Sequence, residues 1–273
     1  MKIAELFDVR GLATVVTGGA SGIGLACAQV MAANGARVCI IDRDAEALAR
    51  AGAELRELSD DVVTEPADVA DESAIDAAID GAAAHFGALD VVFINAGIGG
   101  GPGYMQINGE RNPQGAIEAI PESLWRNIIA VNLGSVFLTL RAAARHMRPR
   151  GKGSIIVTTS VAAVKTENFV GSAYVAAKAG AAHLVRQVAL DLARYHIRVN
   201  AMAPGSVVTG VDGGRMADPE VRARYARANP LHRMASPDEL MGLALYLASP
   251  ASSYVTGAQL VIDGGGSAGM AEP

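Results

Sequence analysis

Short β-branched apolar runs alternate along the chain with longer Ala- and Leu-rich stretches of helical period. The runs are ATVVT (13–17), RVCIID (37–42), the first part of DVVTEPADV (61–69), LDVVFINAG (89–97), GSIIVTTS (153–160), IRVNAMAPG (197–205) and AQLVIDGG (258–265). Most are apolar at consecutive positions, the mark of strands covered on both faces. Helical patterns lie between them, near 23–34, 44–57, 71–86, 122–148, 172–195 and 237–248. Repeated β-α units of this kind predict an α/β three-layer sandwich, a seven-stranded parallel sheet with helices on both faces. No linker or composition break divides the chain, so residues 1–273 read as a single domain.

Two segments break the rhythm of short connections. Residues 98–121 hold six glycines and three prolines, and residues 205–230 follow another strand. Both leave the C-terminal ends of strands, where open α/β sheets bind ligands, and long connections there are read as substrate-site loops.

Composition narrows the picture. The chain is 51% hydrophobic but only 4% aromatic, so its core is built from Ala, Val, Ile and Leu. The net charge of -5 gives no global case for a nucleic-acid partner. Cys27 and Cys39 sit in apolar patterns and read as small buried hydrophobes, without a disulfide framework. The N-terminal MKIAELFDVRG has no signal core, and the apolar runs are broken by Asp, Arg and Gly. The expectation is a cytoplasmic protein with no membrane partner.

The first strand runs into TGGASGIG (17–24), and a helical pattern follows. Gly18, Gly22 and Gly24 let backbone approach a pyrophosphate, and the N–H groups around Ser21 and Ile23 open the helix toward it. A glycine-rich turn of this kind is also compatible with a plain turn. Without G-K-[ST], a nucleoside-triphosphate loop is a poor reading. The second strand ends in Asp42, placed to accept ribose hydroxyls and to repel a 2′-phosphate. That charge favours NAD over NADP, although Arg43 next to it is a cation able to meet a phosphate. This is a Rossmann-type arrangement.

TGGASGIG (17–24), Asp68-Val69, Asn95-Ala96-Gly97, Asn132, Ser160, Tyr174-x-x-x-Lys178 and Pro204-Gly205 appear in this order. Together they resemble the short-chain dehydrogenase/reductase family, in its single-domain NAD-dependent branch, over about Gly11 to Gly265. The resemblance implies hydride transfer between NAD and an alcohol/carbonyl pair. It implies that Asp68 and Val69 flank the adenine and that Asn95, Ala96 and Gly97 line the floor beside the ribose. Pro204, Gly205, Val207 and Thr209 would hold the nicotinamide end. Asn132, Ser160, Tyr174 and Lys178 match the family's catalytic four, with Asn132 holding a water for a proton relay through Lys178. In two places the chain departs from the family: 98–121 is long, and so is the interval from Ser160 to Tyr174.

The chemistry follows from the side chains. Tyrosine has a reference pKa of about 10. Tyr174 and Lys178 share a helix face, and a fixed ammonium favours the phenolate. Tyr174 then takes or gives the alcohol proton, Lys178 also binds the cofactor ribose, and Ser160 orients the substrate oxygen. Thr158 and Thr159 are rivals of Ser160, and a strand-end serine also serves as a simple cap. Ser160 has no histidine partner for nucleophilic catalysis, and the five histidines lack ligand spacing, so no metal is expected.

Val207, Val208, Val211, Met216 and Tyr225 favour an apolar or cyclic small-molecule alcohol or ketone. The small residues of 172–195 and the C-terminal VIDGGG suggest subunit contacts, hence a homotetramer, or failing that a dimer. Two other functions compete. The basic run from Arg141 to Lys152 reads as a solvated helix end or as a dock for an acidic carrier protein, the latter making the enzyme an NADPH-dependent 3-oxoacyl-thioester reductase. A non-catalytic NAD-binding module is the third reading, since a fold does not guarantee chemistry.

Overall fold

A computed structural model describes residues 2–106, 109–210, 218–227 and 229–269. Seven strands form one sheet, β1 (Ala13–Thr17), β2 (Arg37–Asp42), β3 (Val62–Pro66), β4 (Val91–Ile94), β5 (Gly153–Thr158), β6 (Ile197–Pro204) and β7 (Gln259–Ile262). All neighbours pair in parallel, in the order β3-β2-β1-β4-β5-β6-β7. The chain builds outward from β1 in one direction and resumes at β4 in the other. The crevice at the C-terminal ends of β1 and β4 is therefore the topological switch point.

The consecutive apolar residues of each strand divide between two cores. Val15, Cys39, Ile41, Val92, Ile155 and Val199 face one layer, made by α4 (Glu72–Phe86), α6 (Ser135–Met147) and α7 (Ser172–Ala193). Val16, Val38, Ile40, Phe93, Ile156 and Met202 face the other, made by α2 (Gly22–Ala33), α3 (Ala45–Arg56) and α9 (Met241–Ala248). Cys27 and Cys39 are free and buried, and burial pushes both thiols up to about 12. Asp44 and Asp71 cap α3 and α4 by accepting main-chain N–H groups of the first turn.

The helical pattern at 122–148 proves to be three pieces. α5 (Glu122–Ile129) passes through a π turn (Ala130–Gly134) into α6, so the chain widens at Asn132. By length and composition, Glu122–Arg150 is apolar enough to cross a bilayer, which corrects the expectation that no such stretch exists. Half of an 18-residue apolar window within that stretch is buried inside the protein, where its apolar face packs in the core.

The two long connections also carry structure the sequence reading treats as loop. Residues 98–121 contain two short 3-10 turns and a Met105–Arg111 bridge, and 205–230 contains the helix α8 (Pro219–Arg227). A further short helix, α1 (Ile3–Leu6), precedes β1.

The basic run is internally neutralised. Arg141 and Arg145 bind Glu72, Asp76 and Asp80 of α4, and His146 also meets Asp80. Arg148 donates to the Tyr195 hydroxyl. Arg150 and Lys152 hold Asp90 at 3.1 and 3.2 Å. Burial works against the Asp90 carboxylate, yet the Ala13 N–H and these two cations keep it below the ordinary carboxylate range. Of the arginines and lysine in this run, only Arg148, held by a neutral hydroxyl, has no carboxylate within ion-pair distance among the described residues.

Candidate active site

A cavity of about 430 Å³ opens over the C-terminal ends of the strands, and the predicted residues, Gly24 excepted, converge on it from eight chain segments. At one end lies the glycine turn. Gly18 has φ +64 and Gly22 φ +54, conformations that glycine adopts without strain. A Cβ at Gly24 would fall on the Gly18 carbonyl and 2.6 Å from Asn95 Nδ2. The turn is tied down from below. Gly18 N donates to Ile41 O, and Asn95 Nδ2 donates to Gly18 O at 3.3 Å. The Thr17 hydroxyl accepts from Asn95 N and Ala96 N. Ser21 and Ile23 open α2, whose first N–H groups have no partners within the helix.

Asp42 ends β2 beside this turn. Its carboxylate accepts from Ala20 N at 3.3 Å and Asp44 N at 3.2 Å, which fixes a negative charge at the cavity edge. Arg43 also borders the cavity and is exposed. Val69 is buried next to the exposed Asp68, and both line the same end. A glycine cradle without room for a side chain, a helix N-terminus and a fixed acid fit a dinucleotide.

At the other end stand Ser160, Tyr174 and Lys178. Lys178 is 4% exposed and donates to the Thr158 carbonyl at 2.9 Å. Its Nζ lies 5.6 Å from the centre of the Tyr174 ring, the result of i,i+4 spacing on α7. Burial pushes the Lys178 ammonium down to about 8. Ser160 Oγ accepts from Ala162 N at 3.1 Å, so it is a cap, and its O–H lies on the cavity wall. Its rival Thr159 is buried with its hydroxyl donated to Met202 O. Thr158 presents its carbonyl to Lys178.

Asn132 is fully buried, and its amide makes three hydrogen bonds. Nδ2 donates to Ile98 O at 3.1 Å and to Ile128 O at 3.2 Å, while Oδ1 accepts from Ile98 N at 3.3 Å. The side chain thus clamps the chain leaving β4, with Gly97 flush against it. Oδ1 accepts one of the three bonds, which leaves its second lone pair for the water that the resemblance implies.

Pro204, Gly205, Val207 and Thr209 line the cavity beyond β6. Gly205 packs on Asp263, so the C-terminal VIDGGG, expected only at a subunit interface, borders the cavity too. Val208 is not on the wall, while Tyr225 is. Val211 and Met216 lie outside the described residues. The sequence reading missed Lys165, Glu167, Phe169 and Val170 on the wall after Ser160, and Arg224 on α8. The unusual length of the Ser160–Tyr174 interval was the signal for the first four.

Comparison with known proteins agrees with this geometry. A family model described as enoyl-(acyl carrier protein) reductase, of the short-chain alcohol dehydrogenase class, matches residues 18–267. The cis-4-hydroxycyclohexanecarboxylate dehydrogenase of Sinomonas cyclohexanicum is 41% identical over 96% of this chain and 98% of its own. The galactitol 2-dehydrogenase (L-tagatose-forming) of Cereibacter sphaeroides is 36% identical over 97% and 98%. The structure of a 7α-hydroxysteroid dehydrogenase complexed with NADH and 7-oxo glycochenodeoxycholic acid superposes with a TM-score of 0.86 at 31% identity, covering 100% of this chain and 99% of that one. The chain belongs to the short-chain dehydrogenase/reductase family.

Proposed function

We propose that this protein is an NAD-dependent dehydrogenase and ketoreductase of cyclic secondary alcohols, with Asn132, Ser160, Tyr174 and Lys178 as its working residues. The observation that carries this is the Tyr174–Lys178 pair facing the same cavity as the glycine cradle and Asp42. The dinucleotide, when bound, supplies the two-electron acceptor or donor for the carbinol carbon. Tyr174 Oη takes the hydroxyl proton in oxidation and returns it in reduction. Lys178 sets a positive charge beside the ring, which favours the phenolate. Ser160 donates to the substrate oxygen and orients it. Asn132 positions Gly97 and Ile98 under the reacting groups.

Asp42 supports NAD as the cofactor, since its carboxylate stands where a 2′-phosphate would be repelled. Gly18, Ser21, Gly22, Ile23 and Gly24 serve the pyrophosphate, Asp68 and Val69 the adenine, Asn95 to Gly97 the ribose, and Pro204 to Thr209 the nicotinamide. A ring substrate is supported by the relatives named for a hydroxycyclohexanecarboxylate and a hydroxysteroid, and by apolar walls at Val161, Val170 and Val207. Segments 98–121 and 205–230 are the substrate-site connections of this one domain. A homotetramer in the cytoplasm completes the reading. Leu190 on α7, Tyr254, Val261 on the edge strand β7 and Phe137 on α6 are exposed apolar side chains available to such contacts.

NADH formation across a panel of secondary alcohols, with NADP⁺ in parallel, tests the reading. Turnover of cyclic alcohols with NAD⁺ preferred is the expected result. Tight NAD⁺ binding with no turnover of any alcohol or ketone would mark a non-catalytic module. Light scattering of the purified protein checks the tetramer.

A further inference from the structure

The substrate end of the cavity is bordered by two cations besides the buried Lys178, and they differ in what already occupies them. Lys165 donates to Gly266 O at 2.8 Å and lies 3.5 Å from Glu167, so its charge is matched. Arg224 has no carboxylate within ion-pair distance among the described residues. Its guanidinium instead lies over the Phe169 ring, 4.6 Å from the centroid. Stacking restrains a guanidinium while leaving its edge N–H groups for an acceptor.

Phe169 is itself held. The Tyr104 hydroxyl donates to Asn168 Oδ1 at 2.5 Å, and Met105 N donates to Asn168 O at 3.1 Å. Pro102 bridges Val170, and Gly103 lies flush on the backbone at Asn168 and Phe169. The long connection after β4 is therefore a buttress for residues 168–170. Because Phe169 precedes Tyr174 by five residues on the wall leading into α7, the cation it carries belongs to the alcohol end and not to the glycine turn. Asp263, an acid on the same wall, is occupied in capping Gly265 N and Ser267 N.

We infer that Arg224, seated on Phe169, receives a carboxylate carried by the substrate, so that the substrate class is a cyclic secondary alcohol or ketone bearing an acid group away from the reacting carbon. This rests on the dehydrogenase reading above and sharpens it. The apolar walls at Val161 and Val170 take the ring, and a fork of guanidinium N–H groups takes the two carboxylate oxygens.

The test compares kcat/KM for cis-4-hydroxycyclohexanecarboxylate, its methyl ester and cyclohexanol at saturating NAD⁺. The native enzyme is expected to prefer the acid over the ester by about tenfold or more, carried by KM. In R224Q that ratio falls to within about threefold of one, in R224K it is intermediate, and F169L lowers it with the arginine still present. A ratio near one in the native enzyme, or a ratio unchanged in R224Q, overturns the inference. The native enzyme alone decides the point if the variants fold poorly. Turnover of cyclohexanol and ester without preference for the acid sinks this inference and leaves the dehydrogenase reading standing. Absence of turnover on all three and on other secondary alcohols removes both.

Discussion

The ammonium nitrogen of Lys178 sits 5.6 Å from the centre of the Tyr174 ring and 2.9 Å from the Thr158 carbonyl, in near-complete burial. One side chain is thus anchored by the last residue of β5 while its charge stands beside Tyr174, the proposed proton carrier, four residues upstream. In the proposed mechanism the Tyr174 hydroxyl carries the proton. Tyr174→Phe is expected to lower kcat by about 10²–10⁴, the range for losing a general acid–base group. Titration of NADH fluorescence should show binding within a few-fold of native, and the melting temperature should change little. Near-native turnover in this variant would exclude Tyr174 from proton transfer.

Lys178 makes a pH-dependent statement about stability. Its folded pKa of about 8 lies below the 10.5 of an unperturbed lysine. Between those values the unfolded chain binds the proton and the folded chain does not, so folding becomes more favourable as pH rises through the window. Below about 8 both states are protonated and the full burial penalty applies. Lys178→Met removes the titrating group. The native-minus-variant unfolding free energy should therefore rise by about 2–3 kcal/mol from pH 7.5 to pH 10. Denaturant melts of both proteins at the two pH values measure it, and a flat difference would contradict the burial of this amine.

The glycine turn gives a steric prediction. Gly24→Ala places a methyl on the Gly18 carbonyl and against Asn95 Nδ2, both fixed by hydrogen bonds to neighbouring strands. Overpacking of this kind costs about 1–3 kcal/mol, and here the displaced atoms are those of the turn proposed to cradle the pyrophosphate. Dinucleotide affinity should fall at least about tenfold, a change of 1.4 kcal/mol, measured by calorimetry. Unaltered affinity would show that the cofactor does not approach this turn.

Much of this was legible in the sequence, and for identifiable reasons. β1, β4 and β5 are buried on both faces, so their apolar residues run consecutively and bounded the strands to within a few positions. The pair Tyr174 and Lys178 followed from helical spacing. Residues 205–230 did not show α8, because PEVRARYAR buries only Val221 and carries almost no apolar stripe. Arg224 was out of reach for a related reason: its partner Phe169 lies 55 positions earlier, in a segment without periodicity. The π turn at Asn132 was likewise hidden, since a one-residue widening leaves the 3.6 pattern on either side intact.

The proposed preference for NAD rests on Asp42 and its neighbour. Asp42→Asn removes the charge proposed to oppose a 2′-phosphate and keeps an oxygen for only one of Ala20 N and Asp44 N, which bind different carboxylate oxygens, while Arg43 and Asp68 remain as charged groups on that wall. The ratio of kcat/KM for NAD⁺ over NADP⁺ is expected to fall by about 10–100-fold, the scale of one charged contact changed from repulsive to neutral. Steady-state assays with both cofactors check it. An unchanged ratio would assign the selectivity to other residues.

Asn132 separates positioning from chemistry. Its amide makes two donated bonds and one accepted bond, and the two bonds to Ile98 hold the segment that follows β4. Asn132→Leu keeps the bulk but strips all three partners, leaving half-buried groups at Ile98 and a buried one at Ile128 without this amide. Unsatisfied buried groups cost about 1–3 kcal/mol each, so the variant should lose about 2–4 kcal/mol of stability. Asn132→Asp keeps an acceptor for Ile98 N but, when ionised, faces two carbonyl oxygens with no proton to give. Its defect should therefore diminish as pH falls and the carboxyl takes up a proton, while the leucine variant shows no such recovery. Urea melts and kcat measured from pH 5 to pH 8 distinguish the two. If Asn132→Leu folded as firmly as the native chain, the clamp on Ile98 would not be what holds this wall in place.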